Sequence, residues 1–282
     1  MTVKIITDST SDITSDLAQE LGITVVPLTV SFGDESFLDR VEITTDEFYR
    51  RLGEEDIFPK TTQPSPTAFS DAFSKLSEET DEILVIVISS KLSGTYQSAT
   101  TAKSMLKTKC RIEVIDSLSV AMGLGLIVIA AAKIAQSGAT LDTVVDVVKK
   151  TIPRSYVVTA FDTLKYLAKG GRLGKAQGLF GSLLSIKPIL TLKDGEIAPL
   201  TRVRSRAAGE DYLYNFVAGF SNIEELAVEH ATTPDRSNEL VERLCPHCYS
   251  KERIYCSTIS PVLGTYAGPN LLSVAVLEAE GN

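Results

Sequence analysis

The stretch VIVISSKLSGTYQSA, Val85 to Ala99, decides the fold. Its apolar run, Ile83 to Ile88, reads as a strand buried on both faces. The run ends abruptly in Ser89, Ser90 and Lys91. Ser93-Gly94-Thr95 then opens a helix, expected over 93–108. A buried strand feeding straight into a helix is half of a βαβ unit, and the flanking sequence repeats the pattern. VKIITD is a short strand, and ITSDLAQELG a helix with Ile13, Leu17 and Leu21 on one face. ITVVPLTVSF reads as the next strand, and TTDEFYRRLG as a helix capped by Thr44 or Thr45. PKTTQPSPTAF reads as a loop that opens a helix near Ser65-Pro66. A strand at 111–115 and apolar helices near 121–136 and 140–150 complete this half. Strands alternating with helices predict a parallel sheet flanked by helices.

A second region of different texture starts at RSYVVTAFDTL, so a boundary near Pro153 divides the chain into 1–152 and 153–282. It holds a glycine-rich loop (Gly170, Gly171, Gly174), then the hairpin ILTLKDGEIAPL, whose Asp194-Gly195 is a strong turn signal. Further helix and strand alternation follows. The fold class is therefore α/β: two α/β domains, the second smaller and carrying a hairpin.

The 282 residues suffice for two modest cores. No apolar run reaches the roughly 18 residues of a membrane span, and since MTVKIITDST reads directly into a strand no signal peptide is expected. Four irregularly spaced cysteines make no disulfide framework. A cytoplasmic protein is expected. Its net charge of −8 argues against nucleic-acid affinity. Yet nine Lys and Arg against two acids between Lys165 and Arg206 make that segment +7, which suggests an anionic ligand or an acidic partner.

Ligands of open parallel sheets collect at the carboxyl ends of strands. Three such ends here carry hydroxyls and acids: ITDSTSD, ISSKLSGT and VIDSLS. Helix capping accounts for most of them, Ser9 and Ser117 included. Ser93-Gly94-Thr95 is different, because glycine lets a ligand approach the backbone at a helix start. Without a Walker-type Gly-Lys-Ser/Thr pattern the site suits a small anion rather than a nucleotide. Catalytic candidates are few. The two histidines, His230 and His247, belong to no hydrolase or metalloprotease motif. Cys245-Pro246-His247-Cys248 could be a redox dithiol, but it follows a helical pattern. It therefore sits at a helix's C-terminal end, where a thiolate is disfavoured. No ligand set for zinc or another metal is evident, and no cofactor is expected.

Several segments together resemble the DegV family, which includes the fatty-acid-binding subunits of bacterial fatty acid kinase. They are KIITDSTSDI, TTQPSP, ISSKLSGTYQSA, VIDS, FDTLKYLAKGGRLGK, GSLLSIKPILTLKDGEI and GTYAGPN, in the family's order across nearly the whole chain. The resemblance implies a long acyl chain buried between two α/β domains. It implies a carboxylate held by Thr61 and Ser93, with Thr62 and Gly94 adjacent, and presented to a separate kinase. The family's basic loop, which faces the kinase, corresponds to Arg172, and its basic strand end to Arg202. Implied partners are a long-chain fatty acid, the kinase's catalytic subunit and, transiently, a membrane surface. A protein of this kind is not itself an enzyme. A chain of about sixteen carbons gains roughly 12 kcal/mol gross on burial. An unpaired carboxylate would cost several kcal/mol, so clustered hydroxyls are needed to offset it. One departure stands out: the family's usual Gly-Thr-His is here Gly264-Thr265-Tyr266. Tyr266 can donate a hydrogen bond but stays neutral near pH 7. Two readings outside the family remain: a thiol-disulfide oxidoreductase using Cys245 and Cys248, and a phosphate-ester-binding enzyme using the basic segment. VAMGLGLIVIAAA, from Val120, offers small residues either to a bound chain or to tight helix packing.

Overall fold

The computed structural model describes residues 2–106, 109–179, 186–247 and 254–280. The chain runs β1 (Lys4–Asp8), α1 (Ser15–Glu20), β2 (Ile23–Val26), β3 (Thr29–Phe32), β4 (Glu35–Leu38), α2 (Thr45–Glu54), β5 (Lys60–Thr62), α3 (Pro66–Leu76), β6 (Glu82–Val87), α4 (Thr95–Met105), β7 (Arg111–Asp116), α5 (Ala121–Gln136) and α6 (Leu141–Thr151). It continues through β8 (Ser155–Ala160), α7 (Lys165–Lys169), β9 (Lys187–Lys193), β10 (Glu196–Val203), α8 (Arg206–Ala218), β11 (Ile223–His230), α9 (Pro234–Leu244), β12 (Ile254–Thr258), α10 (Pro261–Ala267) and β13 (Leu272–Glu278).

β2-β1-β6-β7 form the parallel sheet that the sequence predicts, with β6 and β1 central and buried. β10-β9-β8-β13-β11-β12 form a wider mixed sheet, in which only β11 and β12 are parallel among its neighbours. A third, small antiparallel sheet, β4-β3-β5, corrects two expectations. ITVVPLTVSF is not one strand: Pro27, which cannot donate to a ladder, divides it into β2 and β3, and the halves join different sheets. The segment read as a loop at 59–69 contains β5, paired to β3 with Thr61 opposite Val30. Caps fall where the sequence puts them: the side chains of Thr44 and Ser65 accept N–H bonds from Glu47 and Ala68.

The helix α5 is buried nearly all round, as its uniformly apolar sequence requires. It packs on β1 of the parallel sheet and on β8, β11 and β13 of the mixed sheet, so one helix belongs to both cores. Among the described residues no helix is long and apolar enough to cross a membrane.

Candidate functional site

A cavity with about 850 Å³ of empty space, counting its open mouth, lies between the two larger sheets. Thirteen of its twenty lining residues are apolar, among them Leu28, Ile88, Phe161, Leu167, Val262 and Leu271. The polar seven are Thr10, Thr61, Gln63, Ser93, Thr159, Arg172 and Tyr266. No acid lines it among the described residues.

Thr61 reaches the cavity by strand alternation. Its side chain turns inward while Lys60 and Thr62 on either side are exposed. Its Oγ1 stands 2.5 Å from the hydroxyl of Tyr266 on α10, so two distant segments meet at one hydrogen bond. The Tyr266 ring is held on both sides. A Cβ at Gly170 would come within 2.3 Å of it, so only glycine fits there. The Arg172 guanidinium lies 5.0 Å from the ring centroid, within cation–π range. Arg172 also donates through Nη1 to the Gly170 carbonyl at 2.8 Å and through Nε to the Leu92 carbonyl at 3.4 Å. That second bond ties the basic loop to the end of the parallel sheet, beside Ser93. Ser93 Oγ is 2.8 Å from Thr95 Oγ1 and accepts the Thr95 N–H at 3.3 Å.

Of the residues singled out in the sequence, the structure thus brings Thr61, Ser93, Tyr266 and Arg172 to one cavity. It does not bring the others. Thr62 faces outward. Gly94 adjoins the cluster, but its missing side chain makes room for Gln63, whose Nε2 would lie 2.4 Å from a Cβ there. Arg202 is exposed on the edge strand β10, five residues and roughly 17 Å along it from the lining residue Ile197. Sequence reasoning did not single out Gln63, Thr10 or Thr159 for the site. Gln63 was visible within TTQPSP, and Thr10 within ITDSTSD. Thr159 carried no signal beyond strand alternation.

The strand-end hydroxyls of the opening stretch divide into separate tasks. Ser89 donates to the Gly195 carbonyl at 2.8 Å, pinning the hairpin tip onto the parallel sheet. Ser117 accepts the Ser119 N–H, a local turn. Ser9 is no helix cap: it donates to Asp39 at 2.7 Å and accepts the Leu28 N–H at 3.1 Å. The cap is Asp8, which accepts the N–H of Thr10 and, across strands, that of Ile88. Of VAMGLGLIVIAAA only Val120 and Ala121 line the cavity. Gly123 lies against Val157 and Gly125 against the Ser11 carbonyl, so the small residues serve packing.

Cys245 is half-buried at the end of α9, in a 3-10 turn over Cys245–His247, and His247 Nε2 meets the Tyr214 hydroxyl at 3.2 Å. Cys248 lies outside the described residues. In the basic segment Asp162 binds Lys187 at 2.7 Å and Arg206 at 2.9 Å. Hydrogen bonding to Arg206, with help from Lys187, holds the Asp162 carboxyl down at about 2.

Comparison with known proteins was consistent. A DegV domain-containing protein of Caldanaerobacter subterraneus subsp. tengcongensis is 39% identical over 276 residues, covering 96% of this chain and 97% of the relative. A Thermus thermophilus protein described as a fatty-acid-binding DegV family member superposes with a TM-score of 0.90 at 30% identity, over 99% of this chain and all of its own. DegV of Bacillus subtilis, described as a fatty acid binding protein, superposes at 0.88 with 26% identity over 99% of this chain and all of its own. A family profile described as "Uncharacterised protein, DegV family" matches residues 2–279, and the chain belongs to that family.

Proposed function

We propose that the cavity holds a long-chain fatty acid. Its carboxylate would lie at the Thr61, Ser93, Tyr266 and Arg172 end and its hydrocarbon along the apolar walls. In this reading residues 1–152 and 153–282 are two domains closing over the ligand, and the protein works in the cytoplasm. The observation that carries it is one apolar cavity ending in hydroxyls and a guanidinium, with no acid among the described lining residues to repel a carboxylate. The relatives described as fatty-acid-binding support the same ligand class. The space falls within the roughly 300–1,000 Å³ usual for small-molecule sites.

The protein then offers the carboxylate to a separate kinase, and no residue of this chain breaks a bond. A carboxylate oxygen attacks the terminal phosphoryl group of a nucleoside triphosphate held by the kinase, and the bond to the leaving nucleoside diphosphate breaks as the acyl phosphate forms. Hydroxyl donors suit this task, because they stabilise the head group while leaving an oxygen free to react, and Arg172 adds a positive charge that meets the carboxylate or the developing phosphate. Arg202 on the exposed edge of the mixed sheet suits contact with the kinase, and fatty acid would be exchanged at a membrane surface in passing contact. Native mass spectrometry of the purified protein, with identification of any released lipid, tests the ligand. A stoichiometric fatty acid, bound or taken up, is expected, and a protein that refuses every added fatty acid would end the reading. Arg202→Glu separates the two steps: lipid retention should be unchanged while transfer by the kinase falls at least tenfold. Normal transfer would remove Arg202 from the partner surface.

A further inference from the structure

Behind one wall of the cavity lies a cluster of buried acids that the proposed function does not use. Asp12, Asp39 and Glu229 are each at most 1% exposed. They come from separate places: Asp12 after β1, Asp39 after β4, and Glu229 on β11. The groups facing them are few. Arg40 stands 3.4 Å from Asp12 Oδ1, and the Tyr49 phenol lies alongside. Ser9 donates to Asp39, whose Oδ1 also accepts the Val262 N–H at 3.4 Å. The Ser260 N–H donates to Asp12 at 3.2 Å, with the Ser260 hydroxyl beside it. The Met122 N–H, in the first turn of α5, donates to Glu229 Oε1 at 3.2 Å. Three buried carboxyls thus face one partly exposed guanidinium, and ionising all three would leave two surplus negative charges there.

Two oxygens show how this is resolved. Asp12 Oδ2 and Glu229 Oε2 have no hydrogen-bond partner among the described residues. Yet the two carboxyls lie within hydrogen-bonding reach of each other. Two bare carboxylates cannot stay together in a low-dielectric interior, whereas one proton between them removes a charge and satisfies both oxygens. Glu229 is the carrier. Burial, and next the Asp12 charge, push its carboxyl well above the ordinary range. Asp12, helped by Arg40 and Ser260, rises only to about 6 through burial.

The pair spans the boundary between the two larger sheets. Asp12 belongs to the parallel-sheet side and Glu229 to the mixed sheet. Beside it the Ser257 hydroxyl donates to the Asp12 carbonyl, and Arg40 donates to the Thr258 carbonyl, both across the same boundary. Asp12 and Arg40 both have left-handed backbone, with φ of 52° and 60°, a cost that only this tertiary arrangement holds in place. The segment that follows β12 supplies Ile259, Val262 and Leu263 to the cavity wall.

We propose that Asp12 and Glu229 share one proton across the boundary between the two sheets, a latch that holds this cavity wall closed and loosens when the proton leaves for solvent. The test uses lipid-free, full-length protein and the Glu229→Gln variant. Gln keeps an N–H donor for Asp12 and a carbonyl for the Met122 N–H, but it cannot titrate. Between pH 5 and 8 the wild-type urea-unfolding constant should rise about tenfold per pH unit for each proton that the fold holds. In Glu229→Gln that slope should be shallower by one proton. Equal slopes would overturn the proposal. A second measurement needs no variant: in protein labelled with carboxyl-¹³C glutamate, one Glu resonance should stay at the protonated position at pH 7. Finding every Glu ionised there would overturn the proposal. The latch itself is read at the Met122 amide. Its exchange, corrected for base catalysis, should speed up several-fold from pH 6 to 8.5 in the wild type alone, and constant protection would overturn it. None of these readouts involves a fatty acid, so the outcome stands apart from that of the proposed ligand.

Discussion

Tyr266 joins both halves of the proposed head-group site, bonded to Thr61 on one side and lying under Arg172 on the other. Removing its hydroxyl should lower carboxylate affinity by about 1 kcal/mol, roughly fivefold, and Tyr266→Phe titrated with a fluorescent fatty acid would measure this. The same assay with Tyr266→His should acquire a pH dependence between 6 and 8 as the introduced imidazole titrates. Ser93→Ala should weaken retention by a similar amount, and unchanged retention would remove Ser93 from the head-group site. At this scale the sequence was legible where a motif marks it. Thr61 and Ser93 stand in segments that resemble a known family. Glu229 does not: one acid in ELAVEHA reads as the outward face of a strand. Its partner, Asp12, sits just after β1 of the other sheet, and no local pattern announces that meeting.

Among the elements, α5 shows what periodicity can and cannot tell. Its apolar residues predict burial on every side, and the structure agrees. Whether its glycines make room for a ligand or for neighbouring chain depends on what lies opposite, which the sequence of one helix does not contain. Gly125 meets the Ser11 carbonyl, and an added Cβ would come within 2.6 Å of that backbone oxygen. Gly125→Ala should therefore destabilise the fold by about 1–3 kcal/mol, seen as a lower urea midpoint, despite alanine's better helix propensity. Because Gly125 does not line the cavity, fatty-acid affinity in the folded variant should be unchanged. Pro27 teaches the complementary lesson. ITVVPLTVSF is one apolar run in composition, and the single missing N–H turns it into two strands of two sheets.

For the molecule as a whole, the buried acids set the response to pH. Burial pushes Asp39 up to about 7 and Asp12 to about 6, against roughly 3.9 in an unfolded chain. The fold therefore holds protons that unfolding releases between about pH 4 and 7. Stability should be greatest at the acid end of that window and fall as pH rises through it, which thermal melts at pH 5, 6, 7 and 8 would show. A ligand works on the same equilibrium. Fatty acid at a hundred times its dissociation constant should add about 2.7 kcal/mol, visible as a higher melting temperature. The alternation of strand and helix made the parallel sheet legible from composition and order alone. The width and mixed direction of the second sheet were not, since they depend on which strands pair across long separations.

The position of α5 between two cores has a consequence during synthesis. The helix leaves the ribosome roughly 140 residues ahead of β13, which at ordinary translation rates is about 7 to 28 s. Through that interval the part of its face destined for β13 has nothing to rest on, although β1 and β6 already cover the other face and β8 and β11 arrive along the way. The nascent chain thus passes through a stage in which a greasy helix is half dressed, and a chaperone that shields apolar segments is the natural companion of that stage. A fragment ending at residue 152 makes the stage permanent and should collect in the insoluble fraction.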